Sequence, residues 1–297
     1  MQKIIPFFWF NNQAEEAAKF YVSNFKNSRL GNISRYDDAS AEVSGKAKDS
    51  VMTVDFELEG QTFSALNGGP EFKFSPAVSF SVHCESAQEV DEFWARFVPG
   101  GKVLMELDKY PFSERYGWLE DKYGVSWQFN FSASEQKIVP SLLFVGRQFG
   151  QAENAIKLYT SLIDNSRIGE IIRYEAGEGD QVGAIKYSTF FLGGQKFIAM
   201  ESSMDHKFEF SQASSFLINC KTQEEVDRLW DGLSGGGEKQ PCGWLRDKHG
   251  VTWQVVPTIL NELLNDPDKE RAKRAMKAML KMTKIVINDL KEAVEKN

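Results

Sequence analysis

Gly117-Trp118-Leu119-Glu120-Asp121-Lys122-Tyr123-Gly124-Val125-Ser126-Trp127-Gln128 returns as Gly243-Trp244-Leu245-Arg246-Asp247-Lys248-His249-Gly250-Val251-Thr252-Trp253-Gln254. Upstream, Glu89-Val90-Asp91-Glu92-Phe93-Trp94 returns as Glu225-Val226-Asp227-Arg228-Leu229-Trp230, and Ser28-Arg29-Leu30-Gly31 as Ser166-Arg167-Ile168-Gly169. Phe20-Tyr21 matches Leu158-Tyr159, and Arg35-Tyr36 matches Arg173-Tyr174. The order is kept throughout, so the chain is a tandem duplication, with a period too long for a solenoid. Each copy is a folding domain: residues 1–132 and 137–257, joined at the small polar stretch from Ser132 to Gln136, with a tail over 258–297.

Bulk properties narrow the function. The 297 residues carry 35 Lys and Arg against 42 Asp and Glu, a formal charge of −7, which disfavours nucleic acid and anionic membranes as partners. No apolar run reaches the length of a membrane span, and the first residues lack the pattern of a secretory signal. Three cysteines make no disulfide framework, so a reducing cytoplasm is the expected setting.

Within one copy, Ile4–Phe10 reads as a buried strand. Asn11 or Asn12 is expected to cap a helix whose inner face carries Ala14, Ala17, Ala18, Tyr21 and Phe25. Strands follow near 29–36, 50–58 and 61–66, the last two joined by a tight turn at Glu59-Gly60. A second round starts with the strand 77–83 and a helix over 86–97, where Ser86 and Glu89 form a capping box. Three more strands end at Trp127-Gln128-Phe129. The fold class is therefore α+β: two tandem domains, each of two strand-helix-three-strand modules, with a curved sheet and a groove. A ferredoxin-like sandwich would use fewer strands per helix. In the tail, Asp266-Pro267 starts a helix, and Ala272, Ala275, Met276, Met279, Met282, Val286, Leu290 and Val294 keep a helical spacing. The basic amphipathic face could suit a membrane or a calmodulin-like partner, but docking on the domain pair or on a second copy, as a homodimer contact, is the favoured reading.

The repeated Gly-Trp-Leu-x-Asp-Lys-x-Gly-Val-x-Trp-Gln block and Pro6–Tyr21 resemble the PhnB-like branch of the glyoxalase and vicinal-oxygen-chelate superfamily. The resemblance covers nearly everything but the tail. It implies paired strand-helix-three-strand modules. Single-domain relatives dimerise, so a tandem chain is expected to be an internal pseudo-dimer. Some members carry a demethylubiquinone methyltransferase label, for which this sequence offers no glycine-rich strand–turn–helix nucleotide site.

Enzymes of the superfamily hold a divalent metal in the groove. Counted from the family's landmarks, the ligand positions fall on Pro6, Phe63, Ala77 and Gln128, and in the second copy on Pro140, Phe197, Ala213 and Gln254. Only the glutamines could ligate, so no metal and no cofactor are expected. His83, His206 and His249 are read as loop or surface histidines, and Cys84 and Cys220 as buried small hydrophobes rather than reactive thiols. Strand alternation in phase with the ligand positions aims Phe8, Phe10, Ser79, Ser81, His83, Ser126 and Gln128 into the groove, an aromatic wall opposite polar donors. The repeated tryptophans Trp94, Trp118 and Trp127 are read as core residues, except that Trp118 opens the strand leading to the groove. The binding candidates are thus Phe8, Phe10, Ser79, Ser81, His83, Trp118, Gln128 and Gln254. The extra loop Lys109–Tyr116 is expected to lid the first copy's groove. The leading function is metal-free binding of a small, partly apolar molecule. The alternatives are a metal-dependent lyase, dioxygenase or resistance enzyme of the superfamily, and a purely structural protein with filled grooves.

Overall fold

A computed structural model describes residues 1–295; Lys296 and Asn297, at the end of the expected tail, lie outside the described residues. The first copy contains β1 (Ile4–Phe10), α1 (Ala14–Asn24), β2 (Arg29–Arg35), α2 (Asp38–Ser44), β3 (Val51–Leu58) and β4 (Gln61–Asn67), then β5 (Val78–Cys84), α3 (Ala87–Phe97), β6 (Lys102–Tyr110), β7 (Ser113–Glu120) and β8 (Ser126–Phe131). The second repeats the plan with β9 (Ile138–Phe144), α4 (Ala152–Leu162), β10 (Arg167–Arg173), β11 (Ile185–Leu192) and β12 (Gln195–Glu201), then β13 (Ser214–Cys220), α5 (Gln223–Ser234), β14 (Glu238–Lys239), β15 (Trp244–Arg246) and β16 (Thr252–Pro257). The tail forms α6 (Thr258–Leu264), α7 (Lys269–Met279) and α8 (Ile287–Glu295).

The α+β class and the two-round plan of each copy are as the sequence predicts. The sheets, however, cross the repeat. Sheet I runs β14-β15-β16-β13-β1-β4-β3-β2, and sheet II runs β10-β11-β12-β9-β5-β8-β7-β6. Each sheet therefore joins one module of the first copy to one of the second. The seams are antiparallel: β1 to β13 with Phe7 opposite Ser215, and β5 to β9 with Ser79 opposite Ser141. A matched pair of ion pairs closes them, Lys3 to Glu225 at 2.5 Å and Lys137 to Glu89 at 2.7 Å. These glutamates are also helix caps. Ser86 Oγ accepts from Glu89 N–H, as the capping box requires, but Glu89 in turn accepts from the N–H of Glu85, one residue before the cap. Thr222, Glu225 and Lys221 repeat the arrangement.

The two modules of one copy instead pack back to back, helices inward. Phe8 of sheet I meets Phe80 of sheet II with ring centroids 5.1 Å apart, and Tyr21 of α1 stacks near Phe97 of α3. Both belong to one continuous apolar core that runs through both copies. The repeated motif is the polar tie within it. The Asp121 carboxylate, 3% exposed, accepts from Tyr21 Oη at 2.7 Å, Trp127 Nε1 at 2.9 Å, and the N–H groups of Tyr123 and Val125. Asp247 does the same with Tyr159, Trp253, His249 and Val251. Gly124 and Gly250 close these turns at φ 88° and 89°, a left-handed conformation that glycine adopts without steric cost. Burial pushes the Asp121 carboxyl up to about 6 against the pull of its four donors.

Three local expectations are corrected. Neither Asn11 nor Asn12 caps α1: Gln13 holds the cap position without a side-chain bond, and Asn67 Oδ1 accepts from Ala14 N–H at 2.8 Å instead. The tail is three helices rather than one, and Asp268, not Asp266, caps α7. The segment Lys109–Tyr116 is not a loop but the tip of the β6–β7 hairpin, with Tyr110 paired to Ser113. No helix among the described residues is long and apolar enough to cross a membrane.

Asp121→Ala strands four donors, each worth about 1–3 kcal/mol when buried and unmet. The expected loss is at least ~3 kcal/mol in urea unfolding; a variant within 1 kcal/mol of wild type would show that the tie is dispensable.

Candidate functional site

The outer, concave face of each sheet is the groove, and alternation fixes which residues line it. In sheet II the core takes Val78, Phe80, Val82 and Cys84 from β5 and Trp127 and Phe129 from β8. Ser79, Ser81 and His83, with Ser126, Gln128 and Asn130, therefore face the groove. Leu119 enters the core, so its neighbour Trp118 faces the groove, where its Nε1 donates to Ser126 Oγ at 2.8 Å. From the second copy come Val139, Ser141 and Leu143 of β9 and Ile198 of β12. Five of the residues singled out from the sequence thus share one groove: Ser79, Ser81, His83, Trp118 and Gln128. Gln254 lies in the other groove, on sheet I, with Nε2 donating to Ser215 Oγ at 3.0 Å.

Phe8 and Phe10 are corrected. They are 0% and 2% exposed and point into the core, where both meet Phe74. The groove side of β1 carries Phe7 and Trp9, each set edge-on to Trp244 at 5.5 and 5.8 Å. The same one-residue slip applies to Pro6, Phe63, Pro140 and Phe197. On the groove side their neighbours are Phe7, Ser64, Ser141 and Ile198.

A divalent metal does not fit either donor set. Sheet I offers Phe7, Ser64, Ser215 and Gln254; sheet II offers Ser141, Ile198, Ser79 and Gln128. Both ends of the Gln128 amide are engaged: Oε1 accepts from Tyr116 Oη at 3.0 Å and Nε2 donates to Ser79 Oγ at 2.7 Å. No three His, Cys, Asp or Glu side chains converge among the described residues. Hard cations need several oxygen or nitrogen donors on one point.

The two grooves differ at their mouths. On sheet I the tail crosses the face that carries Gln254. Val256, two residues on and in phase with it, packs against a small apolar cluster of Leu260, Ile285 and Leu290. At one rim the N–H groups of Cys242 and Gly243 donate to Met282 O and Thr283 O at 2.7 and 2.8 Å. At the other, Asn265 accepts from Asn32 at 3.1 Å, and Lys273 lies 3.7 Å from Asp38. The tail thus bridges sheet I from rim to rim. The corresponding rim of sheet II is built by the long β6–β7 hairpin, where Tyr110, Phe112 and Tyr116 pack on one another at 5.0 to 5.7 Å. Phe112 is 63% exposed at its tip.

Sheet II also holds polar atoms without partners. His83 Nε2, Asn130 Oδ1 and Ser141 Oγ are buried and unbonded. His83 sits opposite Asn130 across the β5–β8 pair, and its Nδ1 is 2.6 Å from Ser132 Oγ. Leaving such atoms dry costs about 1–3 kcal/mol each, so they mark a place where a partner belongs. Sequence reasoning named His83 but missed Asn130 and Ser141; the signal was their phase with Gln128 and Ser79. His83 lies within β5 and is buried, against the expectation of a surface or loop position; His249 lies in a turn as expected but is buried there. Burial, with Lys196 and Lys137 nearby, lowers His83 from 6.5 to about 4. The thiols of Cys84 and Cys220 are pushed up to about 12 by burial, which suits inert core residues.

Because the His83 imidazole binds its proton less tightly folded than unfolded, it supports the fold above about pH 6.5. That support is lost as pH falls from 6.5 through about 4. An NMR titration should put the His83 midpoint near 4, and His83→Asn, the residue at the equivalent Asn219, should flatten stability across that window. A midpoint near 6.5 would mean that the groove is wet and open to charge.

A sequence model of the family described as 3-demethylubiquinone-9 3-methyltransferase matches residues 2–130 and again 136–256. The PhnB protein of Bacillus cereus is 41% identical over 44% of this chain and 100% of its own, with a TM-score of 0.41. Glyoxalase I from Zea mays is similar in fold alone: 10% identity, 90% of this chain and 96% of that one, TM-score 0.57. No curated protein matches. The chain therefore belongs, twice over, to the PhnB-like family described as 3-demethylubiquinone-9 3-methyltransferase.

Proposed function

We propose that the groove of sheet II binds one small, neutral, partly apolar molecule per chain without a metal, and that the tail keeps the groove of sheet I shut. The observation that carries this is the set of unpartnered atoms on one face, His83 Nε2, Asn130 Oδ1 and Ser141 Oγ, against Thr252 Oγ1 alone on the groove face of sheet I. The same face carries the apolar and aromatic side chains Trp118, Leu143 and Ile198, with Lys196 and Lys137 beside His83. A few fixed polar atoms in an apolar wall are the usual make-up of a small-molecule site. A neutral ligand is favoured because the His83 imidazole is uncharged at neutral pH and Asn130 offers a carbonyl oxygen, so the ligand must supply a hydrogen-bond donor.

The family's printed description names a methyl transfer. Among the described residues no strand–turn–helix carries the G-x-G-x-x-G spacing of a nucleotide-type site, so binding is the reading that these residues support.

The test is a thermal-shift screen of small neutral metabolites, followed by calorimetry on hits and elemental analysis of the purified protein. A hit should bind at one per chain, and Asn130→Leu should weaken it by about 1–3 kcal/mol through the lost hydrogen bond. A stoichiometric divalent ion would sink the metal-free reading. Hits that are indifferent to Asn130→Leu and to Ser141→Val would move the site elsewhere.

A further inference from the structure

The two copies differ at one matched position in a way that points to a ligand outside both grooves. In the first copy, Glu16 on α1 is held by the repeated motif: Tyr123 Oη donates to Glu16 Oε1 at 2.8 Å, and Lys122 Nζ lies 3.5 Å from the same oxygen. In the second copy, Ala152-Glu153-Asn154-Ala155 replaces Ala14-Glu15-Glu16-Ala17, and Lys248-His249 replaces Lys122-Tyr123. The carboxylate has become the neutral amide of Asn154, while the lysine is kept.

A cleft occupies this place. It holds about 450 Å³ and is lined by Arg147, Gln148, Gln151, Asn154, Lys157, Lys248 and His249. An insertion builds it: three residues, 11–13, join β1 to α1, whereas seven, 145–151, join β9 to α4, and these supply Arg147, Gln148 and Gln151. Arg147 is already bonded to Glu209 and Lys157 to Glu153. Lys248 has no carboxylate partner among the described residues. His249, 3% exposed, lines the same cleft, and its Nε2 has no hydrogen-bond partner. A buried polar atom without a partner, beside a cation without a counter-charge, is an incomplete site.

We infer that the cleft beside α4 binds a small organic carboxylate, whose charged group takes the place in the second copy that Glu16 fills in the first. Lys248 supplies the counter-charge and His249 a hydrogen bond, with Gln148, Gln151 and Asn154 as further polar contacts. The inserted turn gives the ligand room that the first copy lacks. This site is independent of the groove of sheet II.

Calorimetry of the full chain with acetate, succinate and citrate at constant ionic strength tests it, with inorganic phosphate as the comparison. At least one carboxylate should bind at one per chain and should move the His249 imidazole resonances. Asn154→Glu restores the internal carboxylate of the first copy. It should raise the melting temperature and weaken carboxylate binding at least about tenfold. Lys248→Gln should weaken binding similarly without the gain in melting temperature, which separates loss of site from loss of fold. Three results would overturn the assignment: no carboxylate binding, binding unaffected by both substitutions, or phosphate binding tighter than every carboxylate.

Discussion

Everything in the architecture hangs on a buried carboxylate used twice. Asp121 sits in the turn between β7 and β8 of sheet II, yet its strongest side-chain partner, Tyr21, comes from α1, which covers sheet I. The bond therefore joins the two sheets through the middle of one copy, and Asp247 with Tyr159 joins them through the other. An ionisable group here would be ruinous alone. It is tolerated because four donors converge on it, and two of those are N–H groups of its own turn. This explains why the repeat shows up as Gly-Trp-Leu-x-Asp-Lys-x-Gly-Val-x-Trp-Gln. The Asp accepts, the glycine permits the turn, and the Trp donates. Gly117 has its own reason: a Cβ there would lie 2.4 Å from the Trp94 ring, so only glycine lets α3 settle on β7.

The second constraint is the exchange of modules. Neither copy can finish a sheet alone, because β1 and β5 of the same copy lie in different sheets. Each instead finds its antiparallel neighbour in the other copy, β13 and β9. The Lys3–Glu225 and Lys137–Glu89 pairs sit at these seams, half-shielded, and the same glutamates cap α5 and α3. One side chain thus sets both the start of a helix and the register of a strand from the other half of the chain. Duplication with exchange makes the two grooves composite, each lined by one module of the first copy and one of the second.

How far the sequence could be read depended on whether a strand advertises its two faces. β5 alternates Val78, Ser79, Phe80, Ser81, Val82, His83, so its phase is plain, and Ser79, Ser81 and His83 fall where alternation puts them. β1 reads Ile-Ile-Pro-Phe-Phe-Trp-Phe and is apolar on both faces, because one packs on the core and the other sets Phe7 and Trp9 against Trp244. Such a strand carries no phase. Taking the phase from the family's landmarks instead slips by one residue, which puts Phe8 and Phe10 on the wrong side. The tail failed for a similar reason. Its helical spacing persists through residues 280–286, where the chain in fact breaks to give its carbonyls to Cys242 and Gly243, a partner no local pattern predicts. The cleft beside α4 was legible in principle, since Asn154 and His249 are where the repeat disagrees with itself.

That disagreement is the more general lesson about duplicated chains. Matched residues report what the fold requires: Tyr21 and Tyr159, Asp121 and Asp247, Trp127 and Trp253. Mismatched ones report what each half has been free to change. The second copy has a shrunken outer hairpin, β14 and β15, of two and three residues, where the first keeps β6 and β7 of nine and eight. The tail occupies the vacated rim and carries its own apolar cluster over sheet I. The turn that joins β14 to β15 leaves the N–H groups of Cys242 and Gly243 unpaired within the sheet, and the Met282 and Thr283 carbonyls accept from them. The short hairpin and the tail therefore act as one structural unit, because tail carbonyls meet N–H groups beside the hairpin and the tail's apolar cluster packs on Val256. The asymmetry between a covered groove and a hairpin-rimmed one follows from it, without any change in the core that the two copies share.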